Sequence, residues 1–276
     1  MLILKSESVY FYVVSKSMKK IILSAAFCLS ATVSQYSSAG ITVLDFDGFA
    51  DGQIINDEYS ATYGVDITSV NYIDGVIGNG NDVEGRQVAF NTLNDSSSDN
   101  DLEYNNSNND YNDAGSAFQY TALNLPGYVG DANPGNILIL QENATGCGDG
   151  ICNDPDDEGS RAAGYFEFTF ANIVSILNID FFDVEDQNGN DQFNAIHFFD
   201  DTDTEIHLGN YTPIMGDGEF VRQSYSGITG VKRLIINLPG SGAIDNLAFK
   251  TTDVPEPSTF VVLALGLIFM VRRQLK

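Results

Sequence analysis

The stretch Tyr165-Phe-Glu-Phe-Thr-Phe170 places phenylalanine at every second position, and it decides the fold class. Successive side chains of a β-strand point to opposite faces, so this alternation predicts a strand that buries one aromatic face. Leu234-Ile-Ile-Asn-Leu238 has the branched aliphatic content of a second buried strand. The middle of the chain is therefore expected to be β-structure.

Further short apolar runs surround these two, with turn residues between them. Asn188-Gly189 fits a hairpin turn, and so does Asp200-Asp-Thr-Asp203. Many short strands without alternating long helices predict an all-β fold, an antiparallel β-sandwich over residues 40–250. The predicted strands are 41–46, 87–90, 136–141, 164–170, 175–182, 195–199, 205–208, 231–238 and 243–249.

The chain is strongly acidic. Of its 276 residues, 38 are Asp or Glu and 13 are Lys or Arg, which gives a formal net charge of -25. Only two acidic residues lie outside residues 40–254 and only six basic ones lie inside, so that stretch carries 36 acidic against 6 basic residues, or -30. This charge excludes nucleic acid as a partner, because phosphate binding needs Lys and Arg. It attracts divalent cations, and it also keeps an exported protein soluble.

Cysteine is sparse. Cys28 falls in the predicted signal described below, which leaves Cys147 and Cys152 in Cys-Gly-Asp-Gly-Ile-Cys. An isolated pair in an exported chain predicts a local disulfide, whereas zinc would need four ligands and the histidines lie far away in sequence. The closed loop is short, so the bond mainly fixes the shape of the loop.

The N-terminus has the parts of a secretory signal peptide. Met18-Lys19-Lys20 is followed by an apolar run and then by a polar stretch that ends Ser37-Ser38-Ala39. Positive residues, an apolar segment and small residues before the cut predict a signal at residues 1–39, with Gly40 as the first residue after signal peptidase acts. Because residues 1–17 precede these parts, translation begins at Met18 or the signal has an extended first region.

Residues 251–276 combine three features. A proline-stiffened stretch, Val254-Pro255-Glu256-Pro257-Ser258, precedes an apolar run from Phe260 to Val271, and Arg272 and Arg273 follow. The run predicts a membrane helix shorter than the roughly 20 residues of a stable span, which suits a temporary anchor. Its positive end is expected on the cytoplasmic side.

In this order the three features closely resemble the PEP-CTERM sorting signal of Gram-negative bacteria. The resemblance implies that the precursor is exported across the inner membrane, is anchored there by the C-terminal helix, and is processed by an exosortase near the Pro-Glu-Pro stretch. Proteins with such tails are associated with exopolysaccharide and biofilm, so a cell-surface or extracellular location is expected.

The two ends of the acidic domain loosely resemble those of jelly-roll carbohydrate-binding modules. The residues that carry the resemblance are Leu44-Asp-Phe-Asp-Gly48 and Gly242-Ala-Ile-Asp-Asn-Leu-Ala-Phe249. In those modules the first and last strands lie side by side and share a structural calcium. The resemblance implies a jelly-roll fold in which Asp45 or Asp47 and Asp245 bind calcium. The alternative is that Asp245 is a strand-end residue bonded to local backbone.

Two acidic loops are further candidates for calcium, which prefers several oxygen ligands on a loop. Asp154, Asp156 and Glu158 occupy the first, third and fifth positions of an EF-hand-like loop, although Tyr165 replaces the glutamate expected at the twelfth. The second loop contains Asp183, Glu185, Asp186, Asn188 and Asp191. For both loops the alternative, a plain solvated acidic loop, is the favoured explanation.

Residues 94–115 are rich in Asn, Asp and Ser and predict a long surface loop. Tyr104, Tyr111, Tyr120 and Tyr128 lie in or beside it. Exposed tyrosine rings stack on sugars, and Asp and Asn side chains bond sugar hydroxyls. The alternative is that these rings cover the edge of the core.

Sequence motifs of catalysis are missing: there is no Gly-x-Ser-x-Gly, no His-Glu-x-x-His and no phosphate loop. His197 and His207 flank the Asp-rich turn and would bind a metal together only as cross-strand neighbours. In so acidic a chain, a pair of carboxylates at glycosidase spacing carries no information. We therefore expect no enzyme.

The leading hypothesis is an exported, exosortase-sorted surface or matrix protein that associates with extracellular polysaccharide. Its expected partners are signal peptidase, exosortase, the polysaccharide and, transiently, the inner membrane. The alternatives are a structural acidic surface protein that self-associates with calcium, and a glycan-active hydrolase.

Overall fold

The alternation of residues 165–170 is confirmed. In this computed structural model Phe166, Phe168 and Phe170 are buried, whereas Tyr165 and Glu167 are partly exposed. The structure describes residues 40–72, 82–94, 102–103, 120–141, 146–157, 163–185, 195–215 and 218–251.

The described residues contain fifteen strands and one short helix, α1 (Ser60–Tyr63). The strands are β1 (Ile41–Leu44), β2 (Val65–Tyr72), β3 (Asp82–Glu84), β4 (Gln87–Asn91), β5 (Asn124–Leu125), β6 (Tyr128–Val129), β7 (Asn136–Leu140), β8 (Cys147–Gly148), β9 (Ile151–Cys152), β10 (Gly164–Phe182), β11 (Ala195–Phe199), β12 (Glu205–Tyr211), β13 (Phe220–Ser224), β14 (Thr229–Leu238) and β15 (Ala243–Thr251).

β10 joins two groups of strands. Its first half pairs with β2 on one side and β14 on the other, and its second half pairs with β13 and β15. The sequence predicted two strands here, 164–170 and 175–182, but the structure has one continuous strand. The pairing with β14 shifts register between Thr169 and Val174, so an irregularity replaces the expected turn.

The first group runs β3, β2, β10, β14, β11 and β12. The second contains β13, β10 and β15, with β1 and β7 along the other edge of β15 and β4 beyond β7. Every pairing among the described strands is antiparallel, so the all-β prediction is confirmed. The jelly-roll order stays a prediction, and both predicted terminal helices lie outside the described residues.

One main core is shared by the two groups. Phe168 of β10, Ile236 of β14 and Phe198 of β11 belong to the same buried cluster as Leu138 of β7 and Leu247 of β15. The two groups therefore bury their apolar faces against each other, as two packed sheets do.

The predicted disulfide is confirmed. Cys147 and Cys152 stand directly opposite each other in the β8–β9 hairpin and are bonded. The loop at Gly52 connects this hairpin to β4, because its N–H donates to the carbonyl of Ala89 (2.7 Å) and its carbonyl accepts from the N–H of Cys152 (2.8 Å). The disulfide-bonded hairpin is a separate two-stranded sheet, and this loop ties it to the edge of the main sheet at β4.

Replacing Gly52 tests this close approach. At a φ of +73° an added Cβ would overlap the carbonyl oxygen of Cys152, so Gly52→Ala combines backbone strain with a clash. We expect a loss of about 2–4 kcal/mol in the free energy of unfolding, measured by urea denaturation. Gly127→Ala is the matched control: φ is +86° and no atom lies within 4 Å, so only the strain of about 1 kcal/mol remains. Equal losses in the two variants would contradict the packing role.

Candidate functional site

A row of polar side chains crosses the face of β13, β10 and β15 that points away from the main core. On β15, Ile244 and Leu247 point into the main core, whereas Ala243 and Ala248 belong to two separate outer clusters. Asp245 lies between those clusters. In the strand register Asp180 pairs with Arg222 on β13 and with Asp245 on β15. We call Arg222, Asp180, Asp245 and Asn246 the polar row.

A bulge in β15 brings Asn246 into this row. Asp245 pairs with Asp180 and Ala248 pairs with Asn178, so β15 advances by three residues where β10 advances by two. Asn246 has a φ of +48°, a conformation that asparagine tolerates better than most residues. Its Nδ2 group lies 2.5 Å from Asp245 Oδ2 and 3.0 Å from Asp180 Oδ2, so the amide links the two carboxylates.

The other end of the row is an ion pair. Arg222 donates from Nε to Asp180 Oδ1 (2.7 Å) and from Nη2 to Asp180 Oδ2 (2.6 Å). The guanidinium also lies 5.8 Å from the ring centre of Tyr120 and 5.5 Å from that of Phe220. Asp180 is fully buried, and this burial raises its pKa although Arg222 opposes the shift. Removing one partner of such a pair typically costs 3–5 kcal/mol, because a buried charge is left alone.

Asp245 is the least satisfied group of the row. It is 1% exposed, and its Oδ1 has no hydrogen-bond partner among the described residues. Burial raises the pKa of Asp245 well above its usual range, and the nearby carboxylates of Asp180, Asp47 and Asp45 raise it further. A buried, unpaired carboxylate oxygen is costly unless a proton or a cation satisfies it.

Three more carboxylates continue from the row towards solvent, and we call Asp45, Asp47 and Asp131 the acidic end. Asp45 is half-buried and accepts from the hydroxyl of Tyr128 at 3.4 Å, whereas Asp47 and Asp131 are exposed. Although the Asp47 residue as a whole is exposed, desolvation of its carboxyl group raises its pKa to about 6, and its neighbours Asp45 and Asp131 act in the same direction. Burial also raises the pKa of Asp45.

Backbone features hold the acidic end in place. Phe46, between the two aspartates, has a φ of +50°, is fully buried, and donates its N–H to the hydroxyl of Tyr59 at 3.0 Å. Asp47 Oδ1 accepts from the N–H of Asn136 at 2.7 Å. The preceding Gly135 permits this approach, because a Cβ there would overlap Asp47.

Asp45 and Asp47 lie close enough to Asp245 for their carboxylates to raise its pKa. Among the described residues, however, no three His, Cys, Asp or Glu side chains converge as a metal site, so calcium at Asp45, Asp47 and Asp245 stays a prediction. Asp180, Asn246 and Asp131 were not singled out from sequence, since only the register and the bulge place Asp180 and Asn246 here. Arg222 stood out in the sequence only as one of six basic residues between 40 and 254.

The EF-hand-like loop is shaped by a glutamine that was not singled out from sequence. Gln141 donates from Nε2 to the carbonyl of Asp154 (3.1 Å), and its Oε1 accepts from the N–H of Asp156 (3.2 Å). Glu158 lies outside the described residues. Calcium at this loop stays a prediction.

The second acidic loop is described only in part. Asp183 Oδ1 accepts from the N–H of Gly218 at 2.6 Å, and Glu185 Oε2 accepts from Ser241 Oγ at 3.2 Å. Its other residues, Asp186, Asn188 and Asp191, lie outside the described residues, as does the predicted turn at Asn188-Gly189.

The two histidines do not face each other. Register pairs His207 with Phe198, and its Nε2 lies 3.3 Å from the carbonyl of Thr229. His197 Nδ1 lies 2.8 Å from Glu205 Oε1. The turn between them is confirmed, because Asp200 and Thr204 close it with a backbone hydrogen bond of 2.9 Å.

Two of the four tyrosines considered for sugar binding lie at the site. Tyr120 packs with one outer cluster and Tyr128 with the other, so the polar row lies between them. Tyr120 also accepts from Asn246 Nδ2 at 3.2 Å. Tyr104 and Tyr111 lie outside the described residues.

Comparison with known proteins identifies the C-terminal motif. Residues 253–274 match the PEP-CTERM protein-sorting motif. A solved structure, a Streptococcus pneumoniae fucose binding module, is 14% identical, with 34% of this chain and 68% of that chain covered and a TM-score of 0.23. A TM-score this low does not establish a common fold. The comparison with curated proteins gives no match.

The motif indicates how the chain is sorted. It implies an exported precursor that is held at the membrane and processed by an exosortase, and it suggests a non-enzymatic surface protein. In the part of the chain that the structure describes, no helix has the length and apolar character needed to cross a membrane. The predicted C-terminal helix lies outside that part.

The raised pKa values predict a pH dependence of stability. Because the folded state holds a proton on Asp47 more tightly than the unfolded chain does, the contribution of Asp47 to the free energy of unfolding falls as pH rises from about 4 to about 6. The raised pKa values of Asp45 and Asp245 act in the same direction. Asp47→Asn keeps the acceptor for Asn136. In EDTA at pH 7.5 we expect it to raise Tm by about 2–4 °C, a modest gain because solvent screens Asp47, with little change at pH 4.

The control for this prediction is Asp66→Asn, which removes an exposed charge from β2. It reports the general effect of lowering the net charge. The interpretation of the acidic end would be wrong if both variants gave the same change in Tm at both pH values, as followed by circular dichroism.

Proposed function

We propose that this protein is a non-catalytic surface or matrix protein that is retained in extracellular polysaccharide, and that calcium bound at Asp45, Asp47 and Asp245 stabilises it. The observation that carries the first part is the sorting motif at residues 253–274. The observation that supports the second is the buried Asp245 carboxylate, whose Oδ1 has no partner among the described residues.

The residues at the acidic end fit calcium chemically. Calcium prefers carboxylate and carbonyl oxygens in flexible geometry. Asp45 and Asp47 interact electrostatically both with the buried Asp245 and with Asp131, so carboxylate oxygens are present on either side of them. A divalent cation would offset the mutual repulsion that raises the pKa values of these groups.

The jelly-roll arrangement belongs to the same proposal. β1 and β15, the first and last described strands, pair along Ile41–Leu44, and Asp45 follows β1 directly. In such a fold, a cation at this place would tie the two ends of the domain together. The remaining acidic loop, at Asp154, Asp156 and Glu158, is a secondary candidate for calcium.

The sorting step has a direct test in a host with an exosortase. Replacing Pro255, Glu256 and Pro257 together by alanine should leave the full-length precursor in the membrane fraction, whereas the unaltered chain is processed and released to the surface or medium. Intact-mass spectrometry measures the termini of both forms. Thr259→Ala is the control and should be processed normally. Normal processing of the triple variant would contradict sorting through this motif.

Calcium and polysaccharide are tested together on the purified mature domain. At a calcium concentration about 100-fold above Kd, the free energy of unfolding should rise by about 2.7 kcal/mol. Asp245→Asn should abolish most of this gain, whereas Asp66→Asn should keep it. In parallel, the domain should be retained on the producer's own exopolysaccharide in calcium. Absence of retention with and without calcium would remove the polysaccharide from the proposal.

The alternative function is a structural acidic protein that self-associates through calcium. The formal charge of -30 over residues 40–254 favours it, because divalent cations bridge like-charged surfaces. It predicts a rise in sedimentation coefficient with calcium and no preference for sugar. A hydrolase would require a cleft with accessible catalytic carboxylates, whereas Asp180 is already bound in both oxygens by Arg222.

A further inference from the structure

We propose that one edge of the folded domain contacts the anionic lipid headgroups of the inner membrane until the tail is cut. We call this surface the tether edge, and it consists of Gly40, Ile41, Lys232, Lys250 and Thr251. The inference rests on the sorting part of the proposed function. It adds the surface that faces the membrane and the two side chains that bind there.

The first argument is that both ends of the domain lie at this edge. β1 begins at Ile41, which pairs with Lys250 near the end of β15. β15 ends at Thr251, and only residues 252–259 separate it from the apolar run that begins at Phe260. Eight extended residues span at most about 30 Å, so a domain anchored through that run keeps this edge close to the membrane.

The second argument is the distribution of lysine. Residues 40–254 contain only two lysines, Lys232 and Lys250. Lys250 pairs with Ser175 in the irregular middle of β10. From β14, on the other side of β10, Lys232 donates through Nζ to the carbonyl of Ala171 in the same stretch (2.6 Å). Both lysines of the domain therefore lie beside the chain ends.

Neither lysine is neutralised by a carboxylate. Among the described residues, no Asp or Glu forms an ion pair with Lys232 or Lys250. Arg233, the next residue along β14, is different, because it pairs with both Glu167 and Asp203. The two ammonium groups are therefore available to lipid phosphates.

The third argument is that a membrane responds to the charges close to it, since salt screens exposed charges beyond about 8 Å. Asp245 lies five residues before Lys250 on β15, about 15 Å along the strand. The acidic turn at residues 200–204 lies beyond β14, about 10 Å from β10. On β2, Asp66 pairs with Thr169 and sets one negative charge against the two lysines.

The net charge of the domain then selects its orientation. Residues 40–254 carry a formal charge of -30, so anionic lipid repels the domain as a whole. A domain tethered near such a surface is expected to present its least negative face, which is the edge with the lysines. This orientation also keeps Asp45 and Asp47, which follow the other end of β1, away from the lipid.

The experiment uses the signal-processed precursor, residues 40–276, inserted through its tail into vesicles of phosphatidylcholine with or without phosphatidylglycerol. A neutral reagent acetylates the lysines, and mass spectrometry measures the rate at each. We expect Lys232 and Lys250 to react about fivefold more slowly on phosphatidylglycerol, the ratio that about 1 kcal/mol of attraction per lysine produces. Roughly 1 M salt, which shortens the screening length to about 3 Å, should remove this difference.

Arg86→Lys is the control, because it keeps the charge and adds a reactive side chain elsewhere. The carbonyl of Arg86 accepts from the N–H of Gln141, and β7 pairs with the start of β15 at Ala243. Position 86 therefore lies at the opposite end of the sheet from Lys250. The side chain introduced by Arg86→Lys should react at the same rate on both kinds of vesicle.

Two results would overturn the inference. One is that Lys232 and Lys250 react equally fast on both kinds of vesicle. The other is that the side chain in Arg86→Lys is slowed as much as they are, which shows that no particular edge faces the lipid. Either result leaves sorting intact, because sorting is judged by processing of the triple alanine variant. Normal processing of that variant removes the sorting proposal, and the tether on which this inference rests is then lost.

Discussion

The structure depends on the continuity of β10 through its irregular middle. Four strands pair with Gly164–Phe182, two with each half, so one segment orders both groups of strands. Phe166 and Phe168 of the first half and Phe181 of the second half lie in the same core cluster. Because these three rings are fully buried, separating the two halves would expose apolar surface worth about 1.5–3 kcal/mol for each ring.

The same continuity builds the polar row. Phe181 points into the main core, so its neighbours Asp180 and Phe182 point to the outer face, between β13 and β15. Register then places Arg222 and Asp245 on either side of Asp180. The polar row is therefore formed by residues of paired strands, and not by a surface loop.

Sequence periodicity predicted those alternating strands whose inward positions are strongly apolar. Residues 195–199 were predicted with the bounds of β11, because buried Ile196 and Phe198 alternate with half-exposed neighbours. β2, Val65–Tyr72, was missed although it alternates too, since Asp66, Thr68 and Asn71 dilute its apolar content. β10 was divided in two because Ala171 and Asn172 interrupt the aromatic pattern, whereas the irregularity keeps the chain extended there.

The site was predictable only where two chain ends meet. The resemblance selected Asp45, Asp47 and Asp245, but it does not include Asp131, which acts on Asp47. Asn246 joins the polar row through a bulge that the local sequence does not predict. Arg222 is one of only six basic residues between 40 and 254, and this scarcity of basic residues was a signal that Arg222 has a specific partner. A cation in so acidic a domain is expected to be bound where a carboxylate must be buried, and Asp180 is such a carboxylate.

Burial of like charges makes physical sense for an exported protein. Carboxylates with raised pKa values lower the free energy of unfolding when they are ionised without a cation, so the domain without a bound cation is less stable near neutral pH than in acid. Extracellular calcium modules work with dissociation constants of about 10⁻⁴–10⁻³ M, which suffices where calcium is abundant. Under the proposed function, the domain would therefore reach its full stability only after export. The sorting motif at residues 253–274 and the buried Asp245 would then serve one purpose, because each restricts the working form of the protein to the outside of the cell.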